Sequence, residues 1–122
     1  MANTTEPTDL YSDPRAAADA AAEAVRALNH ATLETSTLTP ADVYTVLGAL
    51  VEMLQSTPQA VGQPLHAVQR HHDADGLAHD SLPIAQVMSD VEDEAVHVNQ
   101  FLEGARTALS TMHQSVSGIS QR

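Results

Sequence analysis

The chain has no cysteine, no lysine and no tryptophan among its 122 residues, and these absences exclude several kinds of site. Without cysteine there can be no disulfide, no thiol nucleophile and no thiolate ligand for a metal. Positive charge comes from only five arginines, which are scattered along the chain. Because binding to a phosphate backbone needs clustered Lys or Arg, the sequence argues against direct contact with nucleic acid or an anionic membrane.

Aromatic residues are also scarce, at 2% of the chain: Tyr11, Tyr44 and Phe101. Hydrophobic residues make up 43%, so the core must be built from aliphatic side chains, each of which removes little area from water. A monomer of this length is then expected to be only modestly stable, which favours subunit association. Five glycines and six prolines are too few for an all-β domain with many turns.

The chain shows no segment that would target it to a membrane or for export. No apolar run approaches the ~18 residues of a membrane span. The first residues, MANTTEPTDLYSD, have neither the basic nor the apolar region of a signal peptide. A cytoplasmic location is therefore predicted, with export by a leaderless route left open. The net charge of −11 is consistent with solubility or with a basic partner.

Prolines mark the expected starts of helices. Three follow a good N-cap residue and suit the first helical position: Asp13-Pro14, Thr39-Pro40 and Thr57-Pro58. Pro83 repeats the pattern more weakly, and Gly62 with Pro64 is expected to kink or split the third segment. We predict a disordered tail at 1–12 and one helical domain at 13–120, with helices at about 14–33, 40–56, 58–71 and 83–119.

The last predicted helix carries the strongest pattern in the sequence. Eleven positions with alternating spacings of four and three residues are all apolar: Ile84, Met88, Val91, Ala95, Val98, Leu102, Ala105, Leu109, Met112, Val116 and Ile119. This is a sustained heptad repeat, and Val87, Phe101 and Ala108 widen it. The predicted fold class is therefore all-α, either a helical bundle or a long antiparallel helical hairpin.

The predicted helix lengths favour self-association. The first helix would span only ~30 Å and the last ~54 Å, so the first cannot cover the whole apolar stripe of the last. The second and third helices together could run back along the last one, but the Gly62/Pro64 region is expected to interrupt them. An exposed stripe of this kind usually pairs with another chain. We predict a homodimer or a higher oligomer closed through the last helix, with these interface residues: Val91, Val98, Phe101, Leu102, Leu109, Met112 and Val116.

The segment QRHHDADGLAHDS, residues 69–81, concentrates residues that could bind a metal ion. The candidate ligands are His71, His72, Asp73, Asp75, His79 and Asp80. Adjacent histidines diverge on a helix, and no two of these histidines have the i, i+4 spacing of a firm helical site. A calcium loop centred on Gly76 would need an oxygen ligand at Leu82. A solvated turn is therefore the favoured interpretation.

Glu94 and His97 form a single E-x-x-H motif, the spacing used by ferritin-like di-iron bundles. With Val98 in the heptad repeat, the two side chains fall on opposite flanks of it, so they are not expected to point into the core together. A dense acidic group on the same helix could alternatively imitate nucleic acid for a basic partner: Asp90, Glu92, Asp93, Glu94 and Glu103.

The seven histidines could also act as a pH-dependent switch. Their full protonation would move the net charge from −11 to −4. His113, next to Met112, could flank a helix interface. Ordinary exposed histidines are the favoured interpretation.

Three segments resemble a group of small α-helical proteins of actinobacteria: AEAVRALNHAT (22–32), DVYTVLGAL (42–50) and TPQA (57–60). The resemblance covers about residues 15–65, and it implies no activity, cofactor or catalytic residue. The chain differs from the small secreted helical-hairpin proteins of the same bacteria. Their hallmark is Trp-x-Gly between two helices, and this chain contains no tryptophan.

No nucleophile elbow, phosphate-binding loop or catalytic triad is recognisable in the sequence. We therefore predict a non-enzymatic helical module, without a cofactor, that self-associates and docks another, unidentified protein. Two alternatives stay open at this stage. One is a metal-binding bundle that uses the histidine-rich segment or the E-x-x-H motif, and the other is an acidic mimic of nucleic acid.

Overall fold

A computed structural model describes residues 9–79 and 81–120, and these contain helices but no strand. The helices are α1 (Pro14–Ala31), α2 (Pro40–Asp73) and α3 (Ile84–Val116), with a short 3-10 helix at Thr35–Thr37 between α1 and α2. The prediction of an all-α fold is confirmed. The chain divides into two compact units at Leu38/Thr39, and each is described by itself. The single domain predicted for 13–120 stays a prediction.

The described part of the first unit consists of a turn, α1 and the short 3-10 helix. Residues 1–8 of the predicted tail lie outside the described residues, whereas 9–12 form a turn in which the Tyr11 amide donates to Asp9 Oδ1 at 3.0 Å. The predicted N-cap of α1 is confirmed, since Asp13 Oδ1 accepts from the Ala16 amide at 3.1 Å. This bond satisfies one of the amides that a helix start leaves unpaired.

Helix α2 begins with a capping box, in which Thr39 and Asp42 bond to each other's backbone. The Asp42 amide donates to Thr39 Oγ1 at 3.1 Å, and the Thr39 amide donates to Asp42 Oδ2 at 3.0 Å. The pKa of the Asp42 carboxyl is lowered, first by the Thr39 backbone amide and then by the Thr39 side chain. The predicted helix start at Thr39-Pro40 is confirmed.

Helix α2 continues without a break through Pro58 and Pro64, so the predicted division into helices at 40–56 and 58–71 is wrong. Thr57 is not an N-cap but an interior residue, whose hydroxyl donates to the Met53 carbonyl at 2.6 Å. A row of half-buried residues with spacings of four, three and seven crosses both prolines: Leu47, Val51, Leu54, Pro58, Val61, Leu65 and His72. Because Pro58 is itself a member of this row, packing along the row favours an unbroken helix over the local preference for a break.

Helices α2 and α3 form an antiparallel hairpin, joined by residues 74–83. Near one end, the Tyr44 ring stacks on the His113 ring with centroids 4.1 Å apart. A Cβ atom added to Gly48 would lie 3.0 Å from His113 Nε2, so glycine is the residue that lets this ring approach α2. In the described residues only Met88 is a buried hydrophobic, at 6% exposure. Two helices alone enclose little, so the core of the hairpin is thin.

Candidate interaction surface

The eleven apolar positions of the predicted heptad repeat do not all lie on one side of α3. The residues of α3 turned towards α2 form what we call the contact row, and all are buried or half-buried: Ile84, Met88, Val91, Ala95, Leu102, Arg106, Leu109, His113 and Val116. Val98, Ala105, Met112 and Ile119 belong to the sequence repeat but are exposed. The predicted repeat is therefore shared between two sides of the helix.

One half of the heptad positions keeps its place in the contact row, and the other half does so only as far as Val91. The half that keeps its place has a spacing of seven residues: Met88, Ala95, Leu102, Leu109 and Val116. Between the last three of these, Arg106 and His113 are half-buried in place of Ala105 and Met112. Because neighbouring residues on a helix are about 100° apart, this change turns positions 105 and 112 away from α2.

Arg106 shows how a charged residue occupies the contact row. Its aliphatic stem can cover apolar surface while its guanidinium reaches back one turn to Glu103, with Nε 3.2 Å from Oε2. This ion pair and hydrogen bond lower the pKa of the Glu103 carboxyl. The sequence offered little sign of this, because a charged residue next to an apolar Ala105 favours the alanine as the inward position.

The exposed apolar residues of α3 line up on one side of it, next to the contact row. We call them the outer strip of α3: Val98, Phe101, Ala105, Ala108 and Met112. Their spacings are three, four, three and four residues, so they form one continuous ridge about 21 Å long. The exposed fraction is 76% for Phe101, 53% for Met112 and 38% for Val98. Phe101 is thus the largest apolar side chain that this ridge presents to solvent.

Helix α2 has a set with similar spacings of four, three and four residues, which we call the outer strip of α2. Met53 is exposed in it, at 43%. Its other members are half-buried, and one of them is polar: Val46, Leu50 and Thr57. Four residues further along, Val61 lines a groove between the helices together with Leu65, Val91, Ala95 and Val98. Val61, one turn beyond the outer strip of α2, lines this groove, and so does Val98, the first residue of the outer strip of α3. The two strips therefore lie on the same side of the hairpin, where they form a single apolar face.

The other flank of α3 is mostly polar. Except for Ala85 and Val96, its exposed residues carry polar or charged side chains: Ser89, Glu92, Asn99, Glu103 and Gln114. The hairpin is therefore asymmetric, with one apolar face beside the contact row and one solvated face on the opposite side.

The predicted interface residues fall into two groups in the structure. Val91, Leu102, Leu109 and Val116 are half-buried members of the contact row, so within one chain they already pack towards α2. Val98, Phe101 and Met112 belong to the outer strip of α3 and are exposed. Only the second group is free to meet another molecule without opening the hairpin.

The first part of the histidine-rich segment is the C-terminal end of α2. The Gly76 amide donates to the His71 carbonyl and the Asp75 amide to the His72 carbonyl, both at 2.9 Å, which is a Schellman motif. Asp75 occupies the left-handed position with φ 55°, whereas Gly76 does not have a positive φ. The segment is thus a structured helix end, in which the backbone of both histidines is used for capping.

The candidate metal ligands of this segment do not converge. Asp73 Oδ1 accepts from Gln69 Nε2 at 2.8 Å. His79 Nδ1 accepts from the Ser81 and Leu82 amides at 3.2 and 3.1 Å, so it closes the loop before α3. In the described part of the chain, no three His, Asp or Glu side chains are grouped so that they could share a metal ion. Asp80 lies outside that part.

The E-x-x-H pair is present as an exposed contact on α3. Glu94 Oε2 lies 3.6 Å from His97 Nδ1, and both side chains are largely in solvent. The two residues therefore meet each other on one side of α3, so their predicted placement on opposite flanks of the repeat is wrong. As expected, the pair does not point into the interior of the hairpin. The acidic group does not form one surface either: Asp90 and Glu94 line the groove, whereas Glu92 and Glu103 lie on the polar flank.

None of the helices described is both long and apolar enough to cross a membrane. A scan against protein-family models finds no match, and searches of curated proteins and of solved structures find no similar protein. The resemblance to helical proteins of actinobacteria stays a prediction.

Proposed function

We propose that this chain is a non-enzymatic interaction module that works by self-association of its helical hairpin. The observation that carries the proposal is the apolar face formed by the two outer strips, on which Phe101 is a large side chain exposed at 76%. Large apolar patches on one side of a molecule are typical of surfaces that bind other proteins. Aromatic side chains are also the commonest anchors of such surfaces.

The thin core of the hairpin supports the same proposal. Two helices can bury only one narrow row of side chains on each, whereas four helices enclose a central core. Pairing two hairpins through their apolar faces would bury the outer strips, and it would add hydrophobic stabilisation of roughly 25 cal/mol for each Å² removed from water. We propose that a further protein partner would dock on the surface of this assembly.

The test is to replace Phe101 and to follow the state of association by sedimentation velocity over a range of concentrations. Phe101→Asp should weaken association by at least about 30-fold, the effect expected for the central anchor of an interface. The helical circular dichroism should be retained, because this side chain does not face α2. Asn99→Asp is the matched control, since it adds the same charge two residues away on the polar flank, and it should leave association unchanged.

Leu102→Asp distinguishes the apolar face from the contact row. Leu102 is half-buried towards α2, so this change should unfold the hairpin rather than merely separate its copies. A monomer at every concentration for the unmodified chain would contradict the proposal.

A further inference from the structure

The outer strip of α3 has a pattern of side-chain size that is complementary to itself when it is reversed. Ala105 is its central residue, with Phe101 and Val98 on one side and Ala108 and Met112 on the other. Building on the self-association proposed above, we infer that a second copy of the chain covers the apolar face. In this arrangement, α3 packs antiparallel to α3 of the second copy, about a two-fold axis at Ala105.

Side-chain volume favours this orientation. Reversal about Ala105 places Val98 level with Met112 of the second copy and Phe101 within one residue of Ala108, so each large side chain meets a smaller one. In a parallel arrangement Phe101 would meet Phe101 and Ala108 would meet Ala108, whereas Ala105 meets its own equivalent in both arrangements. Such a pairing would bring the two Phe101 rings into a steric clash and would leave a gap between the two Ala108 residues. This is unfavourable because helix interfaces are packed as densely as protein cores.

Charge favours the same orientation. Glu94 lies four residues before Val98, at the end of the outer strip, and Asp90 lies one turn before Glu94. Both residues are exposed. A parallel arrangement would bring these carboxylates next to their own equivalents, which repel. In the antiparallel arrangement Glu94, eleven residues before Ala105, lies level with Val116 of the second copy, and the exposed residues around Val116 are uncharged.

The outer strip of α2 is centred on the same axis. Tyr44 of α2 stacks on His113 of α3, so these two residues lie at the same height along the hairpin. Because the helices are antiparallel, Glu52, eight residues after Tyr44, lies at the same height as Ala105, eight residues before His113. Leu50 and Met53 flank this level on α2. One two-fold axis thus pairs both strips with themselves at once, so a second copy fits the face better than an unrelated partner, which would need no such shared centre.

The absence of cysteine from the chain allows a direct test by disulfide cross-linking. Ala105→Cys should give mostly covalent dimer under mild oxidation, because a disulfide forms only where two Cβ atoms can approach to about 4 Å, as at the axis. Val98→Cys and Met112→Cys should each cross-link poorly alone and well when mixed. Glu94→Cys, at the end of the strip, and Asn99→Cys, on the polar flank, should not cross-link.

The results separate this inference from the proposed function. Efficient cross-linking of Val98→Cys or Glu94→Cys with itself would show a parallel dimer, which would overturn the antiparallel arrangement but not self-association. Dimers in sedimentation that cross-link neither at Ala105→Cys nor in the Val98/Met112 mixture would show that α3 meets α2 of the second copy or another surface. A monomeric unmodified chain would overturn both proposals.

Discussion

At the scale of single residues, Asp75 is in the least favourable conformation of the described chain. It is the only residue other than glycine there with a positive φ, 55°, and it ends α2 at the position where a Schellman motif usually has glycine. An L-residue in this region is strained by contact between its Cβ atom and the backbone, although aspartate tolerates it better than most. Its negative charge also lies at the negative end of the helix dipole.

Asp75→Gly should therefore raise the free energy of unfolding by about 1 kcal/mol, because glycine adopts this conformation without strain. Urea denaturation at fixed protein concentration measures the change. Asp75→Asn removes the same charge but keeps the Cβ atom, so the difference between the two variants isolates the backbone effect. Gly76→Ala should give no gain, since its Cβ would lie 3.3 Å from the His71 carbonyl. Loss of stability in Asp75→Gly would contradict this account.

At the scale of helices, α2 is stabilised by packing against its own local preference. Pro58 and Pro64 each remove a backbone hydrogen bond and crowd the preceding turn. Pro58 contributes its ring to the half-buried row, whereas Pro64 is exposed. The cost of Pro64 is therefore not offset by packing at the same residue, and it must be offset by the row that runs from Val61 to Leu65 and beyond.

Pro64→Ala should increase the free energy of unfolding by about 2 kcal/mol, because it restores the bond to the Ala60 carbonyl, while the unfolded chain gains some freedom. Thermal and urea denaturation should agree on the direction. Pro40→Ala is the control: at the first helical position proline breaks no hydrogen bond, so no such gain is expected. An unchanged or lower stability for Pro64→Ala would mean that the proline ring makes a contact that the helix requires.

At the scale of the whole molecule, association must overcome charge. Each copy has a net charge of −11, so two copies repel at distances where salt does not screen them. The Debye length falls from about 30 Å at 0.01 M salt to about 8 Å at 0.15 M. The proposed dimer should accordingly be held together by apolar contact and weakened by long-range electrostatics.

Raising the salt concentration from ~0.01 M to ~0.15 M should therefore tighten the proposed self-association severalfold. Sedimentation equilibrium at the two salt concentrations measures this. Phe101→Asp provides the control, because a chain that has lost its anchor should stay largely monomeric at both. Weaker association at the higher salt would indicate that attractive ion pairs, rather than an apolar face, hold the copies together.

Much of the fold could be predicted from the sequence because its signals are local. The cap residues Asp13 and Thr39 start helices as predicted, and α3 lies within the predicted 83–119. The break in α2 was predicted wrongly. The rule that proline interrupts a helix is local, whereas the packing of the half-buried row, which offsets the cost of the prolines, involves another helix. A spacing of four and three residues through Leu54, Pro58, Val61 and Leu65 could have revealed that row.

The candidate site was predictable only in part, for a similar reason. The sequence identified α3 as the apolar helix and included Phe101 in its predicted interface, but it assigned Val98, Leu102 and Met112 to one common interface. Which of them face α2 depends on how α3 is rotated about its own axis against α2, and that is a property of two helices packed together. The contacts of His113 with Tyr44 and Gly48 had no sequence signal, because they join residues far apart in the chain.

The sequence by itself determined the class of the fold, the starts of α1 and α2 and the apolar character of α3, because each follows from residues within a few turns of one another. Composition alone likewise excluded disulfides and thiolate sites, because the chain has no cysteine. Only the tertiary structure decided that α2 is unbroken, that Asp75 adopts the strained position, and that the apolar repeat divides into a contact row and an outer strip. These features depend on the register and twist between two long helices, and packing energy between distant residues sets both.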